Sequence, residues 1–223
     1  VETTHGLKNE PRLNATRLIV STVGILCGLS GMEHGFFETL QGNIPPSTLL
    51  ISAIGPGQRF WPGGTETALT IVPSFLVSGI LAMLAGLLVI VWSAGFVQRK
   101  YGSGVFFLLS LFQFLVGGGF AQIFLVLMTT LAATQINHPW QGWRRLPKFL
   151  GLLWLPLLVV FALTLLASMF AAIFGFIPLV SGLFPMTSTE MTGLLYTLGY
   201  SMLGLLPVTI LAGLAHDVER KET

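Results

Sequence analysis

The chain has 223 residues, of which 53% are hydrophobic and only 9% charged, with a formal net charge of +2; soluble domains carry roughly 25% charged residues. No Asp, Glu, Lys or Arg occurs between Thr67 and Gln98, Tyr101 and Trp143, Phe149 and Thr189, or Met191 and His216, and each block is longer than the ~20 apolar residues that a membrane helix needs. This pattern excludes an ordinary soluble domain, and the lack of a basic stripe with interleaved aromatics excludes nucleic acid as a partner.

The expected fold is an all-α integral membrane protein, multi-pass, forming one transmembrane domain over residues 1–223. The polar start VETTHGLKNEPRLNA does not read as a signal peptide. A first helix is expected over residues 15–40, with Asn14 as its cap. Gly24, Gly28, Gly31 and Gly35 recur at spacings of four, three and four and form a narrow ridge for close helix packing. Cys27 is the single cysteine, so no internal disulfide exists and the residue reads as a buried small side chain.

Glu33, His34 and Glu38 lie toward the far end of this helix. Ionisable groups at such depth normally face protein or water and mark a functional site. His34 and Glu38 are four apart and can meet on one face. A Glu accepting from one imidazole nitrogen leaves the other for a ligand, proton or metal. Counted from Ala15, Glu33 lies about 27 Å along the helix at 1.5 Å per residue, near the far boundary of a hydrocarbon core about 30 Å thick. The bland alternative is that the cluster ends the helix and holds the next loop.

That loop, residues 42–66, is rich in Pro and Gly and cannot be one helix. It supplies Gln58, Arg59 and Glu66 beside the cluster, with Arg59 as a partner for a Glu or for an anionic headgroup, and Phe60 and Trp61 as interfacial anchors. A second helix is expected over 68–97, with Gly79 and Gly86 on its packing face. A third, continuous helix is expected over 103–134, containing Gln113, Gln122 and a glycine-rich contact at Gly117. Nine residues apart, the two glutamines fall on opposite faces of one helix, so they serve different partners.

Residues 137–148, with His138, read as an interfacial connection. A fourth helix follows over 150–174, then a broken segment with two prolines. The fifth helix is expected over 190–215, with Glu190 at its start and DVERKET as a polar tail. Five helices put the end of the third helix, His138, His216 and the tail on the same side as Glu33 and Glu38, with Glu190 opposite. Five basic residues then face six, which gives no usable orientation. Dividing the fourth apolar block in two gives six spans and a better balance.

The sequence names no cofactor and shows no HExxH, HxxxH or paired-cysteine spacing, so no metal site is expected. Partners are membrane lipids and either other membrane subunits or further copies of the chain. Three functions remain, in this order: a non-catalytic subunit of a membrane complex; a proton- or ion-coupled transporter using Glu33, His34 and Glu38; and an intramembrane enzyme acting on a lipid or isoprenoid, with His34 and a Glu as acid and base.

Overall fold

The computed structural model describes residues 14–137, 139–175 and 186–219. Its elements are α1 (Ala15–Leu40), β1 (Leu50–Ser52), β2 (Thr67–Leu69), α2 (Phe75–Gly95), α3 (Gly102–Leu115), α4 (Gln122–Ala133), α5 (Lys148–Leu152), α6 (Trp154–Phe174) and α7 (Ser188–Glu219). Four of them, α1, α2, α6 and α7, are long and apolar enough to cross a membrane. Large apolar side chains such as Leu84, Leu88, Val91, Val159, Leu163 and Phe170 face outward, while Ser78, Gln113, His34 and Glu38 are buried. That polarity is the reverse of a soluble bundle.

The helix α1 is central. Its first backbone N–H groups, the ones a helix leaves unpaired, are all taken. Asn14 Oδ1 accepts from the Arg17 N–H at 2.7 Å, and the two Asp217 oxygens accept from Ala15 and Thr16 at 2.8 Å each. The C-terminal segment is therefore part of the fold: α7 continues to Glu219, beyond the end expected at residue 215, and Asp217 is a buried cap for a helix at the other end of the chain.

Along α1 the glycine ridge is used inside the chain. A Cβ on Gly28 would lie 2.7 Å from the Gly86 carbonyl oxygen, and one on Gly35 would lie 2.5 Å from that of Gly79. The reciprocal contacts are as close, so α1 and α2 run antiparallel with their backbones touching. Gly24 meets Ser93 and Phe106, and Gly31 leaves the space that the Gln113 side chain occupies.

The third apolar block is where the expectation fails. Residues 103–134 are not one helix but an antiparallel pair. Phe106 lies at the level of Gly24 and Gln113 at that of Gly31, so α3 runs parallel to α1. Gln122 then bonds Ser30, and Asn14 bonds the Ile136 carbonyl, so α4 runs back. The turn lies at Gly117 (φ +103°) and Gly119 (φ +95°), conformations that side chains other than glycine rarely adopt.

The carbonyl and N–H groups freed by this break find partners in the loop after α1. β1 and β2 pair antiparallel, with Ile51 opposite Ala68, and the turn continues that ribbon: Gly117 N–H donates to Leu69 O at 2.9 Å, Phe120 N–H to Thr67 O at 2.9 Å, and Ile71 N–H to Leu115 O at 3.0 Å. Ser78 Oγ donates to Val116 O at 2.9 Å. In a membrane protein, non-helical backbone is tolerated where protein groups satisfy it in this way.

The other bounds shift for local reasons. The second helix starts at Phe75 rather than residue 68, because Thr67–Leu69 is committed to the ribbon and Ser74 caps the helix through the Val77 N–H. The fourth is a short α5 and then α6, which share a boundary at Leu153. α6 runs from the Asn14 end, where Gly151 O meets His216 Nδ1 at 3.2 Å, to the Leu40 end, where Ala172 O accepts from Trp61 Nε1 at 3.1 Å. α7 returns. We call these the proximal (Asn14) and distal (Leu40) ends. Ile19, Val23, Phe106, Phe161 and Leu206 fill the proximal half.

Candidate functional site

The distal half brings together residues from three segments. His34, on the α1 face turned toward α4, is 3% exposed. Its Nδ1 contacts the Ser30 carbonyl at 2.7 Å and its Nε2 lies 2.6 Å from Glu66 Oε2. A carbonyl only accepts, so Nδ1 carries hydrogen. The Nε2 to Oε2 contact then needs a further proton shared between His34 and Glu66. Glu66 reaches this position because it directly precedes β2 and its carbonyl accepts from Ala53 at 2.8 Å, which fixes the ribbon over the end of α1.

Glu33 joins the pair. One donor atom from each of Glu33, His34 and Glu66 lies within 4.8 Å of the others, and both Glu33 oxygens are enclosed without a hydrogen-bond partner among the described residues. Glu38 does not meet His34, as the four-residue spacing suggested. It is fully buried one turn on, against Gly117, where an added Cβ would fall 2.3 Å from its carboxylate oxygen. Ser78 lies beside it but donates its hydroxyl hydrogen to Val116 O, so the Glu38 oxygens also have no hydrogen-bond partner among the described residues. Both glycines of the turn thus serve the cluster, since a Cβ on Gly119 would lie 2.9 Å from His34 Nε2.

Gln113 and Gln122 both reach α1, against the expectation that opposite helix faces would separate them. Gln113 Nε2 donates to Cys27 O at 3.1 Å and Gln122 Nε2 to Ser30 Oγ at 2.7 Å. The reversal at the glycines puts them on different helices, one on each flank of α1. Ser30 thereby couples Gln122 to His34.

Other candidates are elsewhere. Gln58 closes the loop over the Leu40 carbonyl at 3.4 Å. Arg59 is exposed and forms no ion pair with Glu33, Glu38 or Glu66. Phe60 packs on Phe174 at 5.0 Å between ring centroids, and Trp61 is tied to α6 rather than simply anchored at an interface. His138 lies outside the described residues, and His216 is at the proximal end. Glu190 shares the distal end with the cluster instead of opposing it; it caps α7 by accepting from Thr187 N–H at 2.7 Å and Oγ1 at 2.9 Å.

Beside His34 the bundle is not filled. A cavity of about 690 Å³ opens between α4, α6 and α7. His34, Glu66, Ser30 and Gln122 form its polar end, and Phe124, Leu165, Met169, Tyr196 and Leu203 are among its walls. Sequence reading found Glu33, His34, Glu66 and Gln122 but not Tyr196, Tyr200 or the cavity, whose walls come from helices that no motif connects.

No family model matches this chain, and neither a curated protein nor a solved structure matches it.

Proposed function

We propose that the chain is an integral membrane protein that takes an amphiphilic lipid into this groove, with the acyl or isoprenoid chain between α4, α6 and α7 and the polar part at His34, Glu66 and Gln122. The observation that carries the reading is the pairing of one buried polar end with otherwise apolar walls. Sites for small molecules are commonly apolar clefts with a few convergent polar groups, and this one opens among helices whose outer faces are apolar. Of the three functions expected from the sequence, action on a lipid or isoprenoid agrees best with such a groove. The subunit reading loses one support, because the ridge of Gly24, Gly28, Gly31 and Gly35 is already covered by α2 and α3. Transport is disfavoured by the apolar packing of the proximal half.

In this reading the chain crosses the bilayer with α1, α2, α6 and α7, and α3 and α4 form a shorter hairpin rising from the proximal side. Their 14 and 12 residues measure about 21 and 18 Å, less than the roughly 30 Å core. Among the described residues Arg17, Arg99, Lys100, Arg144, Arg145 and Lys148 are proximal and Arg59 alone is distal. Six against one is a strong positive-inside bias, so the proximal end is cytoplasmic and the site lies toward the opposite surface.

The test is lipid retention. The full chain is purified in a mild detergent and analysed by native mass spectrometry beside Gly199→Trp. Gly199 lines the cavity and has open space where a Cβ would go, so the indole fills the groove without a backbone clash. The reading expects a discrete lipid adduct on the wild type that is lost in the variant. An adduct of equal mass and occupancy on both would overturn it.

A further inference from the structure

We infer that Glu33, His34 and Glu66 bind one divalent first-row transition ion, of which zinc is the reference case, at the polar end of the groove. The donor set is one imidazole nitrogen and two carboxylates, and one atom from each already lies within 4.8 Å of the other two. Bonds of about 2.0–2.2 Å around one ion put neighbouring donors roughly 3.4 Å apart in a tetrahedral site. Binding therefore draws Glu33 in and parts His34 Nε2 from Glu66 Oε2, which stand 2.6 Å apart. Mixed nitrogen and carboxylate ligands suit zinc, iron or manganese better than calcium or magnesium, which take all-oxygen shells.

Two further features point to an ion. The His34 Nδ1 contact with Ser30 O is the outer hydrogen bond that a metal-bound histidine makes, and it turns the Nε2 lone pair toward the carboxylates. Separately, both Glu33 oxygens are enclosed with no donor among the described residues, and Arg59 forms no ion pair with them. An enclosed carboxylate without a partner is costly; a dication shared by two carboxylates leaves the site neutral.

Binding replaces the proton shared by His34 Nε2 and Glu66 Oε2 and any proton on the enclosed Glu33 carboxyl, and these leave as the ion enters. Glu66 is one quarter exposed and lines the cavity, so the ion is reachable from the groove and keeps open positions on that side. Three protein ligands with open positions is the arrangement of a reactive rather than a structural ion. The open side then takes a water or an oxygen of the bound lipid's polar part.

The experiment titrates zinc into the metal-stripped full chain in detergent by calorimetry, with cobalt absorption as a second measurement. The wild type binds one saturable equivalent. His34→Ala and Glu33→Gln each weaken it at least roughly tenfold, the lower bound for disturbing even the outer partners of a metal. Glu38→Gln, outside the donor set, leaves it unchanged. If His34→Ala does not fold, Glu33→Gln and the wild-type cobalt spectrum decide. Absence of a saturable equivalent in the wild type, or a titration that Glu33→Gln does not alter, overturns the inference. Zinc binding is compared between the wild type and Glu33→Gln, and lipid retention between the wild type and Gly199→Trp, so failure of the lipid reading and failure of this one are separately visible.

Discussion

The proximal and distal halves of the bundle satisfy their polar groups in different ways. At the proximal end every early N–H of α1 has a partner, Asp217 closes the cap, and aromatic and aliphatic side chains fill the interior. At the distal end two carboxylates of α1 are enclosed without partners, a helix pair is interrupted at three glycines, and a cavity adjoins the break. Thr16, Ser93, Gln98 and Thr130 also leave neutral side-chain oxygens without a partner among the described residues toward the proximal end. The distal end differs in that its unpartnered groups are carboxylates beside unusual backbone, a combination that proteins concentrate at working sites. On the proposed function, stability rests mainly on one half and ligand chemistry on the other.

That division can be broken by substitutions in each half. The largest effect is expected from Phe161→Ala, which empties a fully buried proximal position and costs about 3–5 kcal/mol, read as loss of folded protein in detergent thermal unfolding. Asp217→Ala and Gly117→Ala follow, with effects of similar size. Asp217→Ala removes both hydrogen bonds to the start of α1 and costs on the order of 1–2 kcal/mol, with lipid retention preserved in the folded fraction. Gly117→Ala forces a strained φ and pushes on the Glu38 carboxylate, lowering stability by about 1–3 kcal/mol and also reducing retention. Glu38→Gln exchanges an enclosed, unpartnered carboxylate for a neutral amide, so unfolding temperature is unchanged or higher; a clear fall would mean that the carboxylate is paired. Arg59→Ala should shift stability by less than about 0.5 kcal/mol, since its side chain is exposed.

Orientation sharpens the same comparison. A cysteine at Gly57 in the distal loop should react with a membrane-impermeant maleimide added outside intact cells, whereas one at Gln98 in the proximal turn should not. The reverse pattern would put the site on the cytoplasmic side.

Much of the architecture was legible. The bounds of α1, its Asn14 cap and the nature of the long apolar blocks follow from composition and spacing. The glycine ridge was legible as a packing surface, though not which helix it meets. The hairpin was not legible, because Gly117, Gly118 and Gly119 read equally as a close helix contact. Only the left-handed φ at two of them, supported by hydrogen bonds to a ribbon some fifty residues earlier, makes the turn. The charge pattern held a clue: dividing the third block, not the fourth, places Arg144, Arg145 and Lys148 with Arg17, Arg99 and Lys100. At the site, Glu33 and His34 were visible as costly residues, and Glu66 as a nearby loop acid. That Glu66 and not Glu38 meets His34 depends on the ribbon register, which no local spacing encodes. Asp217 was hidden for the same reason, as its partners lie at the opposite end of the chain.

The most direct test of the account is photo-crosslinking in native membranes. A diazirine-bearing residue replaces Met169, which is half-buried in the groove, and, for comparison, the exposed Leu87 on the outer face of α2. The account predicts that position 169 yields a discrete set of lipid adducts sharing one headgroup class, abolished by Gly199→Trp, while position 87 labels the bulk lipids in proportion to their abundance. Identical, unselective adducts at both positions would contradict it.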